Sequence, residues 1–315
     1  MAKTLTITGR ISSLKRIWSR YKKWVIWLVT LITFVYIVRY IIQNWSQLSS
    51  HPWSIHWGWL WLALLCECPF FGLQALNWLA LLRWNGVERA RGSGFWYWFQ
   101  SSLARYMPTP IFAAGSRVYF ATQLGCDPGT ASWCFVVEIL ASVVGSGLVA
   151  LFAVPQFLKI RIDLGWIGLI IVLLILILAG VIKWVIPSLK RYKVNLNASF
   201  TQIAGWFFLY ALCFFFQGLA YLFILKSISS DYQNFPFILG LSAFAWLLGT
   251  VNIFAPSGIG TREMVLLIGF QNQLPAQQII YLSLVARLIG TATELLLNGI
   301  GFIYLAVTKP KNPKP

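Results

Sequence analysis

Residues Phe254–Glu263 read FAPSGIGTRE, a Pro/Gly-rich and charged break between apolar runs. A second break, RYMPTPIFAAGSR from Arg105 to Arg117, interrupts another apolar stretch in a similar way. Bilayer hydrocarbon cannot hydrogen-bond a free backbone, so irregular chain at that depth must be buried in protein or line a polar cavity. A matched pair of Gly/Pro-interrupted segments points to a transporter-type central site. These breaks predict an all-α polytopic bundle whose function sits where they meet.

Composition agrees. The chain has 315 residues, 58% of them hydrophobic and 10% charged, with mean hydropathy +0.72. A soluble domain carries roughly 25% charged residues. Many Trp stand at the ends of apolar runs, such as Trp24, Trp27, Trp45, Trp57 and Trp184, where an interfacial belt would lie. The net charge is +17, but the basic residues sit in loops and tails between apolar spans. That distribution reads as topological bias and attraction to an anionic membrane surface. Nucleic-acid binding is not expected, because no soluble basic domain is present.

Five Cys leave an odd count, and most lie in apolar runs. Cys66 and Cys68 diverge by ~200° on a helix and cannot share a metal. They read as small buried hydrophobes. Neither a metal nor a cofactor is expected. The Asn197-Ala198-Ser199 glycosylation pattern falls in a basic loop expected in the cytoplasm.

Residues 1–23 hold seven Lys/Arg and no acid, which predicts a basic cytoplasmic N-terminal tail. Residues 24–307 read as one membrane-embedded domain, and 308–315 as a basic, Pro-rich tail. Spans are expected near Trp24–Ile42, Trp57–Leu82, Ala131–Ala153, Leu164–Ile182, Ile203–Leu225, Phe237–Phe254 and Ile279–Val307. A short apolar piece, Met264–Phe270, precedes the last of these. If Phe95–Phe120 is a re-entrant hairpin, the basic cluster at Lys190, Arg191 and Lys193 falls inside, as the positive-inside rule asks. Seven or eight spans result. The two halves share a motif without an established inverted repeat.

Several residues stand out as candidates. Pro256, Gly258 and Gly260 permit a tight turn, and the N–H groups of a following helix attract anions. Arg262 adds a planar fork suited to phosphate. Glu263 would neutralise Arg262 or bind a cationic headgroup. In the first break, Pro108 and Pro110 forbid a continuous helix, while Arg105, Gly115 and Arg117 supply charge and close approach. Glu138, Arg287 and Glu294 lie inside apolar spans. Central charges cost roughly 2.5–3.5 kcal/mol each on insertion scales, so they should pair or line a wet cavity. Arg287 and Glu294 share a helix face, and the simplest expectation is a salt link between them. Glu67 is expected to pair with an inside Arg.

Catalytic constellations are missing. A membrane serine protease needs a His base, and His51 and His56 lie in a loop. An aspartyl dyad needs two membrane Asp, but Asp127, Asp163 and Asp231 are all in loops. There is no HExxH, Walker lysine loop or GxGxxG after a strand. No catalytic residue is assigned.

The PSGIGTRE stretch and the RYMPTPIFAAGSR…Gly125…Glu138 stretch resemble the lysylphosphatidylglycerol synthase transmembrane-region family of flippase-like proteins. That family's late motif, Pro-Gly-Gly-x-Gly-x-Arg-Glu, is matched at Pro256, Gly258, Gly260, Arg262 and Glu263, with Ser257 in a Gly place. The earlier motif departs from the family, since Thr109 follows Pro108 and Ile139 follows Glu138. The resemblance implies movement of a phospholipid or lipid-linked precursor between leaflets of the plasma membrane. It also implies that aminoacyl transfer, which needs an added soluble synthase domain, is not expected of a chain ending at Pro315. In the site so expected, Arg117 and Arg262 take phosphate, while Glu138, Glu263 and Glu294 take cationic groups or protons. The alternative is a membrane-embedded transferase or accessory subunit in cell-envelope lipid or glycan assembly, with Asp127 or Asp231 as its acid. A homodimer stays open.

Overall fold

Every regular element is helical among the residues that the computed structural model describes, namely 39, 42, 54–88, 92–106, 110–153, 200–228, 232–252, 258 and 260–308. The chain divides into two compact units, Met1–Trp45 and Ser46–Pro315, and all the elements below belong to the second. In order they are α1 (Trp57–Trp84), α2 (Gly92–Ser102), a 3-10 turn (Leu103–Tyr106), α3 (Pro110–Gln123) and α4 (Pro128–Ala150). Then follow α5 (Phe200–Lys226), α6 (Phe235–Val251), α7 (Thr261–Phe270) and α8 (Ala276–Thr308). The expected span at 164–182, both tails, the Lys190 cluster and Asn197 lie outside the described residues, as does nearly all of the span at 24–42.

Among the described residues, four helices are long and apolar enough to cross a bilayer: α1, α4, α8 and the Gly205–Lys226 part of α5. Helix α6 is shorter, at 17 residues. The chain is thus a multi-pass membrane protein. Its outer face shows it too, since Trp57, Trp61 and Leu65 of α1 and Phe302, Ile303 and Val307 of α8 are all exposed. Apolar surface on this scale suits lipid rather than water.

Local chemistry sets the helix ends. Asp127 caps α4, its Oδ2 accepting from the N–H of Gly129 at 2.9 Å and of Thr130 at 3.3 Å, with Pro128 at the first turn. Asn234 caps α6 by accepting from the N–H of Phe237 at 3.2 Å. Pro69 lies inside α1 and deletes one ladder hydrogen bond two residues after Glu67.

Helices α1 and α5 pack antiparallel, as their paired contacts show. The N–H of His56 donates to Ser227 O at 2.8 Å, and Asn77 Nδ2 donates to Trp206 O at 3.2 Å. Between them Trp59 stacks on Phe223 at 5.5 Å and Phe70 meets Phe214 at 5.9 Å. Small residues bring the other helices close. A Cβ on Gly145 of α4 would lie 2.6 Å from Tyr210 Cβ of α5, and one on Gly240 of α6 would lie 2.3 Å from Ala153 N.

The second break differs from expectation in one useful respect. Its short helix begins at Thr261 rather than Met264, so Arg262 and Glu263 stand in a first helical turn. Gly260, at φ 84°, makes the reversal that lets the helix start there.

Candidate functional site

The first break is built from pieces too short to cross a bilayer. Helix α2 has 11 residues and α3 has 14, or about 16 and 21 Å against roughly 30 Å of hydrocarbon. Between them the 3-10 turn presents Arg105 and Tyr106. Arg105 Nε donates to Ser102 O at 3.2 Å and stands 3.5 Å from Glu294 Oε1 on α8. Tyr106 donates its hydroxyl to Glu294 Oε2 at 2.7 Å. Glu294 is 1% exposed, so these two residues are what make its charge tolerable there.

Arg117, from α3, is buried in a second cluster. Its Nε lies 3.2 Å from Glu138 Oε2 of α4. Its Nη1 donates to Trp98 O at 2.9 Å and to Ser101 Oγ. The indole N–H of Trp98 donates to Glu138 Oε1 at 2.8 Å, and the guanidinium lies 4.6 Å from that ring. Arg117 is therefore held by protein groups on all these sides. Glu138 is likewise engaged, by Arg117 and by Trp98.

At the second break, Gly258 (φ 68°) passes so close to α6 that a Cβ on it would lie 2.6 Å from Gly249 Cα. A side chain is excluded there both by conformation and by space. Asn252 Nδ2 donates to Thr261 Oγ1 at 2.7 Å, across the turn. Glu263 makes no ion-pair contact with its neighbour Arg262 among the described residues. Instead its Oε2 accepts from Gly260 N–H at 2.7 Å, and its Oε1 meets Arg287 Nη2 of α8 at 2.6 Å.

The direct Arg287–Glu294 link expected from the sequence does not form. Seven residues of helix separate the two by about 10.5 Å along the axis, so each reaches a different neighbour. Arg287 holds the second break through Glu263, and Glu294 holds the first through Arg105 and Tyr106. One helix, α8, ties both breaks together.

Arg262 has no carboxylate in ion-pair contact among the described residues, and its buried Nε has no hydrogen-bond partner. Its stem lies against Gly249, where a Cβ would sit 2.8 Å from Arg262 Cγ, and its guanidinium is 6.0 Å from the Trp246 ring. Glu67, on α1, is 3% exposed, and the ion pair expected of it is not found among the described residues.

Other candidates fall elsewhere. Gly115 is exposed, and a Cβ on it would meet nothing within 4 Å, so its position makes no packing demand. Pro110 opens α3. Pro108 and Pro256 lie outside the described residues, as does Asp231. Asp127 is engaged in capping α4. Cys66 and Cys68 are half-buried free thiols, and Cys126, Cys134 and Cys213 are buried ones.

A family model described as the lysylphosphatidylglycerol synthase TM region matches residues 24–297. The chain belongs to that family. Membership of the lysylphosphatidylglycerol synthase transmembrane-region family makes it an integral membrane protein of lipid-related processes. The match runs through both breaks and ends within α8, three residues after Glu294. No curated protein matches the chain.

Proposed function

We propose that this chain translocates a phospholipid or lipid-linked precursor between leaflets, with the headgroup phosphate on Arg262. One observation carries the reading: α8 gathers both interrupted segments, and beside them stands an arginine with no carboxylate in ion-pair contact among the described residues and a buried Nε without a hydrogen-bond partner. Uncompensated charge at membrane depth marks a substrate path more often than a structural element. The first helical turn of α7 adds N–H groups of the same sign. Acyl tails would stay in lipid while the headgroup passes between the re-entrant first break and the second. Of the two acids that the transferase alternative names, Asp127 is a helix cap and Asp231 lies outside the described residues.

The test is a leaflet-accessibility assay in liposomes with a fluorescent anionic phospholipid. Wild-type protein should exchange the label between leaflets well above the protein-free rate. Arg262→Ala should lower that rate at least tenfold, since loss of a charge-assisted phosphate contact is worth about 1.5–3 kcal/mol. Equal rates with folded wild type, Arg262→Ala and no protein would overturn the reading.

A further inference from the structure

Both interrupted segments fold back on themselves, and they do so from opposite ends of α8. In the first, α2 and α3 run antiparallel. The Tyr97 and Phe120 rings lie 5.3 Å apart, Ser116 Oγ donates to Ser101 O at 2.8 Å, and a Cβ on Gly94 would lie 3.2 Å from Leu124. The open end of this pair meets the last turns of α8, where Trp96 stands 5.8 Å from Tyr304. In the second, α6 and α7 are antiparallel too. Phe237 at the start of α6 meets Phe270 at the end of α7 at 5.5 Å, and Gly249 near the end of α6 lies against Arg262 near the start of α7. Residues 271–275 alone separate that open end from the first turn of α8. The two closed ends therefore face each other along α8. One is tied to Glu294 through Arg105 and the other to Arg287 through Glu263, about 10.5 Å apart along the helix axis.

Each closed end carries an arginine with unused donors. Arg262 has its unpartnered Nε. Arg105 spends Nε on Ser102 O and Glu294, and its two terminal NH2 groups make no hydrogen bond among the described residues. The Phe71 and Trp98 rings, at 6.0 and 5.8 Å, steady its guanidinium without using those donors. Its side chain is 27% exposed, against 7% for Arg117. Glu294 does not depend on Arg105 alone, since its Oε2 accepts from the Tyr106 hydroxyl at 2.7 Å.

We propose that Arg105 is a second phosphate contact, which takes the headgroup phosphodiester over from Arg262 midway through translocation. This role rests on the translocation reading and adds to it the receiving group, on the hairpin that enters the membrane from the opposite side. A planar guanidinium with two unused NH2 groups suits one phosphodiester. Transfer between arginines on facing hairpin ends keeps the anion paired at membrane depth, where unpaired charge is costly.

The experiment pairs binding of short-chain phosphatidylglycerol to the detergent-purified full chain with leaflet exchange of the fluorescent anionic phospholipid in liposomes. Arg105→Ala should lower exchange at least about tenfold, the scale of one charge-assisted contact. Arg262→Ala should keep weakened binding, and adding Arg105→Ala should weaken it about tenfold further. Were Arg105 only the counter-ion of Glu294, Arg105→Ala/Glu294→Gln would regain exchange together with thermal stability. The phosphate role predicts that this double variant regains stability and still exchanges slowly. In wild type, the lipid should protect Arg105 from phenylglyoxal, read by peptide mass spectrometry, which requires no variant to fold. Wild-type exchange in Arg105→Ala, or equal modification of Arg105 with and without lipid, overturns the assignment. If binding depends on both arginines while wild-type exchange equals the protein-free rate, the second contact stands and translocation fails. If exchange falls in Arg262→Ala but not in Arg105→Ala, translocation stands and the second contact fails.

Discussion

Glu138→Ala is expected to destabilise the folded protein by about 3–5 kcal/mol, the cost of stripping one partner from a buried ion pair. Arg117 would be left buried with Ser101 and the Trp98 carbonyl but no anion. The Trp98 indole N–H would also lose its acceptor, a further penalty of order 1–3 kcal/mol. Arg117→Ala should be similarly severe, because it leaves the carboxylate unpaired. The double variant Arg117→Met/Glu138→Leu should recover much of the loss, since well-packed apolar groups replace a buried pair at little net cost. Unfolding in mild detergent, read as a double-mutant cycle, separates pairing from simple truncation. Additive single effects would show that the two side chains do not act as a unit.

Glu263→Ala should disable the second break in two ways at once. It removes the acceptor for Gly260 N–H and the partner of Arg287. Loss of the cap alone costs about 0.5–2 kcal/mol, and stripping this carboxylate from a buried arginine adds up to roughly 2.5–3.5 kcal/mol. Arg287→Ala in the same chain should return the second contribution but not the first. Lipid exchange should therefore stay low in the double variant even as its thermal stability recovers, because the turn that aims Arg262 is still uncapped. Exchange restored together with stability would mean that Glu263 matters only as a counter-ion.

Apolar run length and Pro/Gly placement carried most of the fold. Helix α1 was expected over Trp57–Leu82 and spans Trp57–Trp84, and the last helix was expected over Ile279–Val307 and spans Ala276–Thr308. Such runs are legible because membrane depth demands continuous helix. Pairing was less legible. The seven-residue spacing put Arg287 and Glu294 on one face, but which partner each meets depends on how α7 and the 3-10 turn dock, a tertiary fact. Glu263 follows Arg262 directly, yet helical geometry turns it back toward Gly260 and out to Arg287. A lone carboxylate two residues before Pro69 carries no sequence signal of its depth, and its burial appears only when α1 is packed in the bundle.

What matters most is whether the Pro/Gly-broken backbone of both halves encloses one lipid-binding point beside α8. A density map of the full chain in nanodiscs containing anionic phospholipid addresses this directly. Phosphate density at charge-assisted hydrogen-bond distance from the Arg262 guanidinium, lost in Arg262→Ala, is the expected result. Headgroups found only around the outer helix faces, with Arg262 unoccupied, would contradict it.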